Sequence, residues 1–286
     1  LLISSEMGKP IREAKLEIKK CSWICEYYAE NAAKFLEDRK IKTEASLSYI
    51  KYEPLGLILG VMPWNYPYLQ VFRFIAPSLM VGNACLLKHA SNVLGCAKAI
   101  EETVKNILPY KNIFNNLIIS SDMVSGIIEN EKVKAVTLTG SEKAGSDVAM
   151  IAGKEIKRSL LELGGSDPFI VLEDADLDQC IPKAISSRFL NAGQSCIAAK
   201  RFIVSEDIYE DFILRIKDEI EKLIIGDPSE SNTQIGPLAK ESFVKELDTQ
   251  IVNSVKQGAR LLCGGSRAGN KGFYYIPTLL VDVDEN

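Results

Sequence analysis

One cysteine ends a run of small and polar residues, Phe189-Leu190-Asn191-Ala192-Gly193-Gln194-Ser195-Cys196, where backbone amides lie close and little bulk crowds the sulfur. That setting suits a nucleophile, because the reactive form is the thiolate, which needs an electropositive and partly open environment. A buried thiol acting as a small hydrophobe fits the same residues. Upstream, Leu160-Leu161-Glu162-Leu163-Gly164-Gly165 holds a carboxylate inside an apolar run. Burial there would raise the carboxyl pKa by stripping hydration from the charged form, moving Glu162 toward general-base work near neutral pH. Further upstream still, Met62-Pro63-Trp64-Asn65-Tyr66-Pro67 pins Asn65 between two prolines. Its amide NH2 is an oxyanion donor.

Four further positions carry weaker signals. Gly140 and Gly145, in Thr139-Gly140-Ser141-Glu142-Lys143-Ala144-Gly145, stand five apart where a strand gives way to a helix. Such a turn can aim backbone N–H groups at a phosphate. Neither GxGxxG nor a triphosphate P-loop is present, Ser146 standing where the P-loop lysine would be, and a plain glycine-assisted turn is the stronger reading of those residues alone. Lys88 ends a strand, where ligands of open parallel sheets gather, although an ordinary exposed lysine fits as well. Arg73 falls on a helix expected to be mostly buried, so it needs a partner: an internal ion pair, or a substrate carboxylate held in two-point fashion.

The frame for these residues follows from periodicity. Residues 6–40 predict one or two surface helices, with Leu16, Ile18, Trp23 and Tyr27 at helical spacing. Rough alternation of Leu47, Tyr49, Ile50 and Tyr52 predicts strands near 43–54 that leave the domain as an excursion. Apolar runs at 57–62, 84–87, 117–119 and 133–139 predict strands. Helices are expected over 69–81 and after Ser91, the latter marked by Val93, Cys96, Ala97, Ile100, Val104 and Ile107. This alternation predicts an α/β fold with a parallel sheet covered on both faces. Gly164-Gly165 breaks the rhythm and divides the chain into domains at 1–163 and 164–286. The second has an expected strand at 168–172, a helix capped by Asp174 or Asp176 that leads to the cysteine loop, a strand at 201–204, a helix over 209–224, and a helix face marked by Phe243, Leu247, Ile251 and Val255.

Composition bounds the function classes. The chain has 286 residues, a formal charge of -4, 47% hydrophobic and 25% charged residues, which reads as a soluble globular protein. No basic excess points to nucleic acid, and no apolar run approaches the roughly 18 residues of a membrane span. Leu1-Leu2-Ile3-Ser4-Ser5-Glu6 does not read as a signal peptide. Seven cysteines, an odd number without CxxC spacing, predict reduced thiols and a cytoplasmic protein. The single histidine, His89, leaves a zinc site or a Ser-His-Asp triad without support, so no metal is expected.

Taken together, Pro63-Trp64-Asn65, Glu162-Leu163-Gly164-Gly165 and Gly193-Gln194-Ser195-Cys196 resemble, in order and approximate spacing, the aldehyde dehydrogenase superfamily, nearest to its succinate-semialdehyde branch. The resemblance implies a Rossmann-like cofactor-binding domain over 1–163 followed by a catalytic domain. It implies that Cys196 attacks the aldehyde, that Asn65 and the Cys196 N–H hold the oxyanion, that hydride leaves for NADP or NAD, and that Glu162 activates the water that hydrolyses the thioester. Cofactor contacts are implied at Trp64, Asn65, Lys88, Ser91, Gly140, Ser141, Gly145 and Leu163. Of these, Lys88 binds the adenosine ribose and Ser91 faces its 2′ position, where NAD-preferring relatives often carry glutamate. Serine there admits NADP. Arg73 matches a substrate-binding arginine of succinate-semialdehyde dehydrogenases, but Leu190 stands where many carry a second arginine, so the implied substrate is succinate semialdehyde or a similar small aldehyde. The 43–54 excursion matches the arm that joins subunits, which implies a homodimer or homotetramer. The chain is expected to be truncated at both ends, beginning inside the family's N-terminal helices and stopping before the EEIFGP-like segment. Outside this class stand a cofactor-free thiol hydrolase, disfavoured by the lack of a histidine partner for Cys196, and a non-catalytic fragment.

Overall fold

Gly8-Lys9-Pro10 splits the N-terminal helical region: Gly8, at φ 81, ends α1 (Leu2–Met7), and Pro10 precedes α2 (Ile11–Phe35). The computed structural model describes residues 1–110 and 112–283, so the last three residues of the second domain, 284–286, lie outside the described residues. The buried stripe of α2 is made of small residues, Ala14, Cys21 and Ala32, together with Glu17. Leu16, Ile18, Trp23 and Tyr27, the apolar set at helical spacing, are all exposed. Within 43–54 the only strand among the described residues is β2 (Tyr49–Ile50), which pairs antiparallel with β1 (Arg39–Lys40).

The chain then alternates β3 (Leu57–Met62), α3 (Leu69–Met80), β4 (Ala84–His89), α4 (Leu94–Ile107), β5 (Phe114–Asn116), α5 (Val124–Glu129), β6 (Val133–Thr139), α6 (Glu142–Lys154) and β7 (Arg158–Glu162). The strands form one parallel sheet in the order β5-β4-β3-β6-β7. Because side chains alternate along a strand, Met62 of β3 joins Phe74, Ile75, Leu87, Ile100 and Phe114 in a core beneath α3 and α4. Leu59 turns the other way, into a core with Ile128, Val136, Leu138 and Val148 beneath α5 and α6. Each such side chain stabilises by about 1.5–3 kcal/mol when fully buried, so both faces of the sheet are committed to helices. The fold is α/β, as the alternation predicts. One strand is displaced: β5 lies at 114–116, and the apolar run 117–119 is not strand. Phe114, 1% exposed and opposite Cys85, is the residue that reaches the core, whereas Ile118 stays at the surface.

Two compact units emerge, Lys15–Gly164 and a second made of Leu1–Ala14 with the residues from Gly165 onward. The first 14 residues therefore group with the later unit, which corrects the division at 1–163. Their attachment is close-packed backbone: Ile11 N donates to Pro228 O (2.7 Å), and neither Gly8 nor Gly236 has room for a Cβ.

The later unit contains β8 (Asp167–Val171), α7 (Leu177–Phe189), β9 (Ala199–Val204), α8 (Tyr209–Glu221), α9 (Glu241–Lys256), β10 (Arg260–Cys263) and β11 (Leu279–Val281). β8 and β9 pair in parallel, and β10 and β11 antiparallel, around a core that includes Val171, Leu177, Ile181, Phe212 and Ile216. Of the two aspartates proposed as the cap of α7, Asp176 serves, its side chain accepting from the N–H groups of Asp178 and Gln179. Periodicity gave no sign of β10 or β11, which are only four and three residues long.

Candidate active site

In the Lys15–Gly164 unit, every sequence-derived candidate except the flanking Arg73 lies at or just beyond the carboxyl ends of the sheet strands. The chain starts at β3, runs outward through β4 and β5, then returns to the other side of β3 for β6 and β7. Strand order reverses between β3 and β6, the place where open α/β sheets bind ligands. Trp64 and Asn65 follow β3, Gly140 and Ser141 follow β6, Lys88 and Ser91 mark the end of β4, and Glu162 ends β7.

The Asn65 turn is held from two sides. His89 Nε2 donates to Pro67 O (2.8 Å), a tautomer assigned because Nδ1 accepts from Ala90 N (2.9 Å). Beyond the turn, Glu17 of α2 caps α3: its Oε1 accepts from Tyr68 N (2.8 Å) and Leu69 N (3.1 Å), replacing a local cap residue.

Lys88 is not the ordinary exposed lysine considered above. Only 7% exposed, it lies opposite Val61 of β3 and directs Nζ at Ser121 Oγ (3.4 Å), while Ser91 is exposed on the following turn. At the glycine turn, Gly140 N donates to Glu162 O (2.9 Å) and Ser141 caps α6 by accepting from Ala144 N (3.3 Å). Neither Gly140 nor Gly145 has a positive φ. Gly145 is explained by packing: a Cβ there would come within 2.5 Å of Leu163 Cδ2.

Two burial expectations need correction. Glu162 and Arg73 were expected in buried surroundings, yet their side chains are 51% and 49% exposed. β7 is the edge strand of the sheet, so nothing beyond it in this unit covers Glu162. Arg73 Nη2 lies 3.8 Å from Glu162 Oε1, and Nη1 lies 3.5 Å from Gln70 Oε1. At that exposure the ion pair contributes about 0–1 kcal/mol, so it orients both groups while leaving either able to change partner. Both line a cleft of about 420 Å³ with Met62, Gln70, Thr139 and Leu160.

In the other unit, α7 delivers the cysteine loop. Asn191, Ala192 and Gly193 take left-handed φ values of 57, 52 and 73, a run that only small or amide residues adopt at modest cost. The loop is tied down at several points. Asn191 N donates to Glu13 Oε2 (2.7 Å), Gln194 Nε2 donates to Asn191 O (3.1 Å), and Ala239 N donates to Gln194 Oε1 (3.0 Å). Burial pushes the Glu13 carboxyl up, against the pull of the Asn191 N–H and the nearby Lys9 and Arg12 charges. The Arg188 guanidinium packs under Gly193, where a Cβ would come within 2.8 Å of Nη2, and Nη1 reaches Ala199 O (3.4 Å). Lys200 Nζ donates to Gly165 O (2.6 Å), Ser195 O (3.1 Å) and Cys196 O (3.2 Å). Cys196 is partly exposed, unlike Cys85, whose thiol is pushed up to about 12 by burial in the sheet core. All seven cysteines are free thiols. Among the described residues no cluster of His, Cys, Asp or Glu is arranged to hold a metal ion, and no helix is long and apolar enough to cross a membrane.

The model of the aldehyde dehydrogenase family matches residues 1–286. The chain belongs to the aldehyde dehydrogenase family. Among curated relatives it is 49% identical over 285 residues to a probable succinate-semialdehyde dehydrogenase [NADP(+)] of Synechocystis sp., covering 100% of this chain and 63% of that protein. A succinate-semialdehyde dehydrogenase [NADP(+)] 1 of Mycobacterium tuberculosis is 46% identical over 288 residues, with the same coverage. Among solved structures, the succinic semialdehyde dehydrogenase of Streptococcus pyogenes in complex with NADP+ superposes with a TM-score of 0.97 at 37% identity, covering 99% of this chain and 62% of that one. The chain thus spans about 63% of the length of the curated relatives it matches.

Besides Glu17, His89 and Lys200 are supports of this aldehyde dehydrogenase chain that escaped sequence reasoning. His89 entered only as an argument against zinc and a triad, although a lone histidine ending an apolar strand beside Lys88 signals a buried hydrogen-bonded ring. Lys200, four residues past the cysteine at the start of β9, gave no signal in periodicity.

Proposed function

We propose that the whole protein oxidises succinate semialdehyde, or a similar small carboxylate-bearing aldehyde, to the acid, with NADP as hydride acceptor. The observation that carries this reading is Arg73 beside Glu162 at the carboxyl end of the parallel sheet: a cation able to bind a substrate carboxylate, next to a base. The names of the relatives support both substrate and cofactor. In this reading the Cys196 thiolate adds to the aldehyde carbon, and the oxyanion accepts hydrogen bonds from the Asn65 amide and the Cys196 N–H. NADP, when bound, supplies the acceptor for the hydride that leaves that carbon. Glu162 then takes a proton from water, which attacks the thioester carbonyl, and the carboxylic acid departs with return of the Cys196 thiolate.

The residues present suit NADP. Lys88 places a cation and Ser91 a hydroxyl at the end of β4, with no carboxylate at position 91 to repel a 2′-phosphate. Trp64, Gly140 and Ser141 lie on the adjoining turns, Gly145 near the start of α6 and Leu163 just past β7. The test is an assay of the whole protein with succinate semialdehyde and each cofactor, in which activity with neither NADP nor NAD would end the proposal. Ser91→Glu should lower kcat/KM for NADP relative to NAD by about tenfold or more, equivalent to about 1.4 kcal/mol, modest for a like-charge contact. An unchanged ratio at fixed ionic strength would remove Ser91 from the 2′ position.

Arg73→Gln gives a second check. Charge-assisted hydrogen bonds are worth roughly 1.5–3 kcal/mol, so KM for succinate semialdehyde should rise by about 10- to 100-fold. Propanal, which has no carboxylate, should be much less affected. Equal losses for the two aldehydes would reduce Arg73 to a partner of Glu162. We further propose that the β1–β2 hairpin region contributes to assembly as a homodimer or homotetramer, its exposed Leu47, Tyr49, Ile50 and Tyr52 being the apolar surface available for contact.

A further inference from the structure

Three carbonyls converge on one ammonium at the cysteine loop. Lys200 Nζ, from β9, binds Gly165 O at 2.6 Å, Ser195 O at 3.1 Å and Cys196 O at 3.2 Å. The last two belong to the peptide groups on either side of the Cys196 Cα. A trans peptide is planar, with its N–H directed opposite to its C=O. Turning both carbonyls toward Lys200 therefore turns the N–H groups of Cys196 and Ile197 away from it together. Successive N–H groups aimed to one side form a concavity that accepts anions. Among the described residues neither N–H donates to a backbone carbonyl, and the neighbouring Ser195 O also accepts from Ala198 N (3.2 Å). Gly165 is held at the same cation and is itself constrained, since a Cβ there would lie 3.0 Å from Cys196 O.

We propose that Lys200 is a positioning residue for Cys196: it fixes the two peptide planes that flank the cysteine and supplies a positive charge that favours the thiolate. The proposal rests on the reading of Cys196 as the nucleophile and adds the residue that readies it. The charge argument has a counterpart at Lys200. Burial and the neighbouring Arg188 cation draw its ammonium pKa down, while Asp167 and the Cys196 thiol pull it back up. The charged groups around the loop in this unit are Arg188 from α7, Lys200 from β9 and, opposing them, Asp167 from β8 and Glu13 from α2, the last with Lys9 and Arg12 beside it.

The test is the rate of iodoacetamide alkylation of Cys196, followed by peptide mass spectrometry as a function of pH in the wild type, Lys200→Met and Lys200→Arg. Lys200→Met should slow alkylation at neutral pH by about threefold or more and move the rate profile to higher pH, half a pH unit being about threefold in thiolate. Lys200→Arg, which keeps the charge, should restore most of that rate. A purely structural lysine would leave the profile where it was, and coincident profiles for wild type and Lys200→Met would overturn the proposal. If Lys200→Met does not fold, trace acetylation of Lys200 across pH in wild type and Cys196→Ala decides instead. The lysine should titrate lower in Cys196→Ala, and an unchanged midpoint would overturn the proposal. Neither measurement needs an aldehyde or NADP. An inactive wild type with a Lys200-dependent thiol would sink the proposed activity alone, and an active one with an indifferent thiol would sink only this role.

Discussion

Cys196→Ala is expected to lower aldehyde oxidation by the whole protein by about 10⁴-fold or more, the scale on which covalent enzymes lose rate with their nucleophile. A methyl side chain cannot form the thiohemiacetal, so no carbon is presented for hydride loss. NADP binding should survive, because the candidate cofactor residues all belong to the Lys15–Gly164 unit and none is altered. The contrast is Cys263, on β10, where burial pushes the thiol up; its replacement by alanine should change turnover little. NADPH formation measures the first effect and calorimetric titration with NADP the second. Ordinary turnover by Cys196→Ala would dispose of the thiol mechanism.

Glu162→Gln should slow steady-state turnover by about 10²-fold or more, the usual cost of losing a general base. Glutamine keeps the shape at the end of β7 and the Gly140 N–H bond to the residue 162 carbonyl, which is backbone, but it cannot take a proton from water. If the blocked step is hydrolysis, an acyl thioester accumulates on Cys196 and appears in the intact mass as substrate minus two hydrogens. Lost turnover without any adduct would give Glu162 a role before acyl transfer. The 51% exposure of its side chain makes the assignment depend on position at the strand end, since the burial expected from its apolar neighbours is not there.

That difference shows where sequence reasoning reaches its limit. Apolar runs such as 57–62 and 133–139 mark strands because continuous burial needs continuous hydrophobicity, and β3 and β6 fall on those residues. β5 was misplaced because its decisive residue, Phe114, is followed by two asparagines, and an edge strand needs only one large side chain in the core. Exposure at Glu162 and burial at Lys88 depend on which strands are edges and which are flanked, a property of strand order. Strand order is set by long-range pairing that no local window reports. Candidate site residues were legible where chemistry demands an unusual neighbour, as with Cys196, Asn65 and Glu162. Their supports, His89, Glu17 and Lys200, act through ordinary hydrogen bonds to backbone and left no mark in spacing.

The joining of the first 14 residues to the part of the chain that begins at Gly165 also sets a timetable for synthesis. Every strand of the five-stranded sheet lies between residues 57 and 162, so that unit can close as soon as β7 has left the ribosome. Ile11, by contrast, waits for a hydrogen-bond partner at Pro228, 217 residues later. At roughly 5–20 residues per second the delay is about 10–40 s. Throughout it, Ile3 and Met7, buried in the finished fold, remain without their cover while the sheet beside them in sequence is already formed. Helix α1 thus leaves the ribosome before the sheet and is seated after it, and a nascent-chain chaperone has that interval in which to act on it.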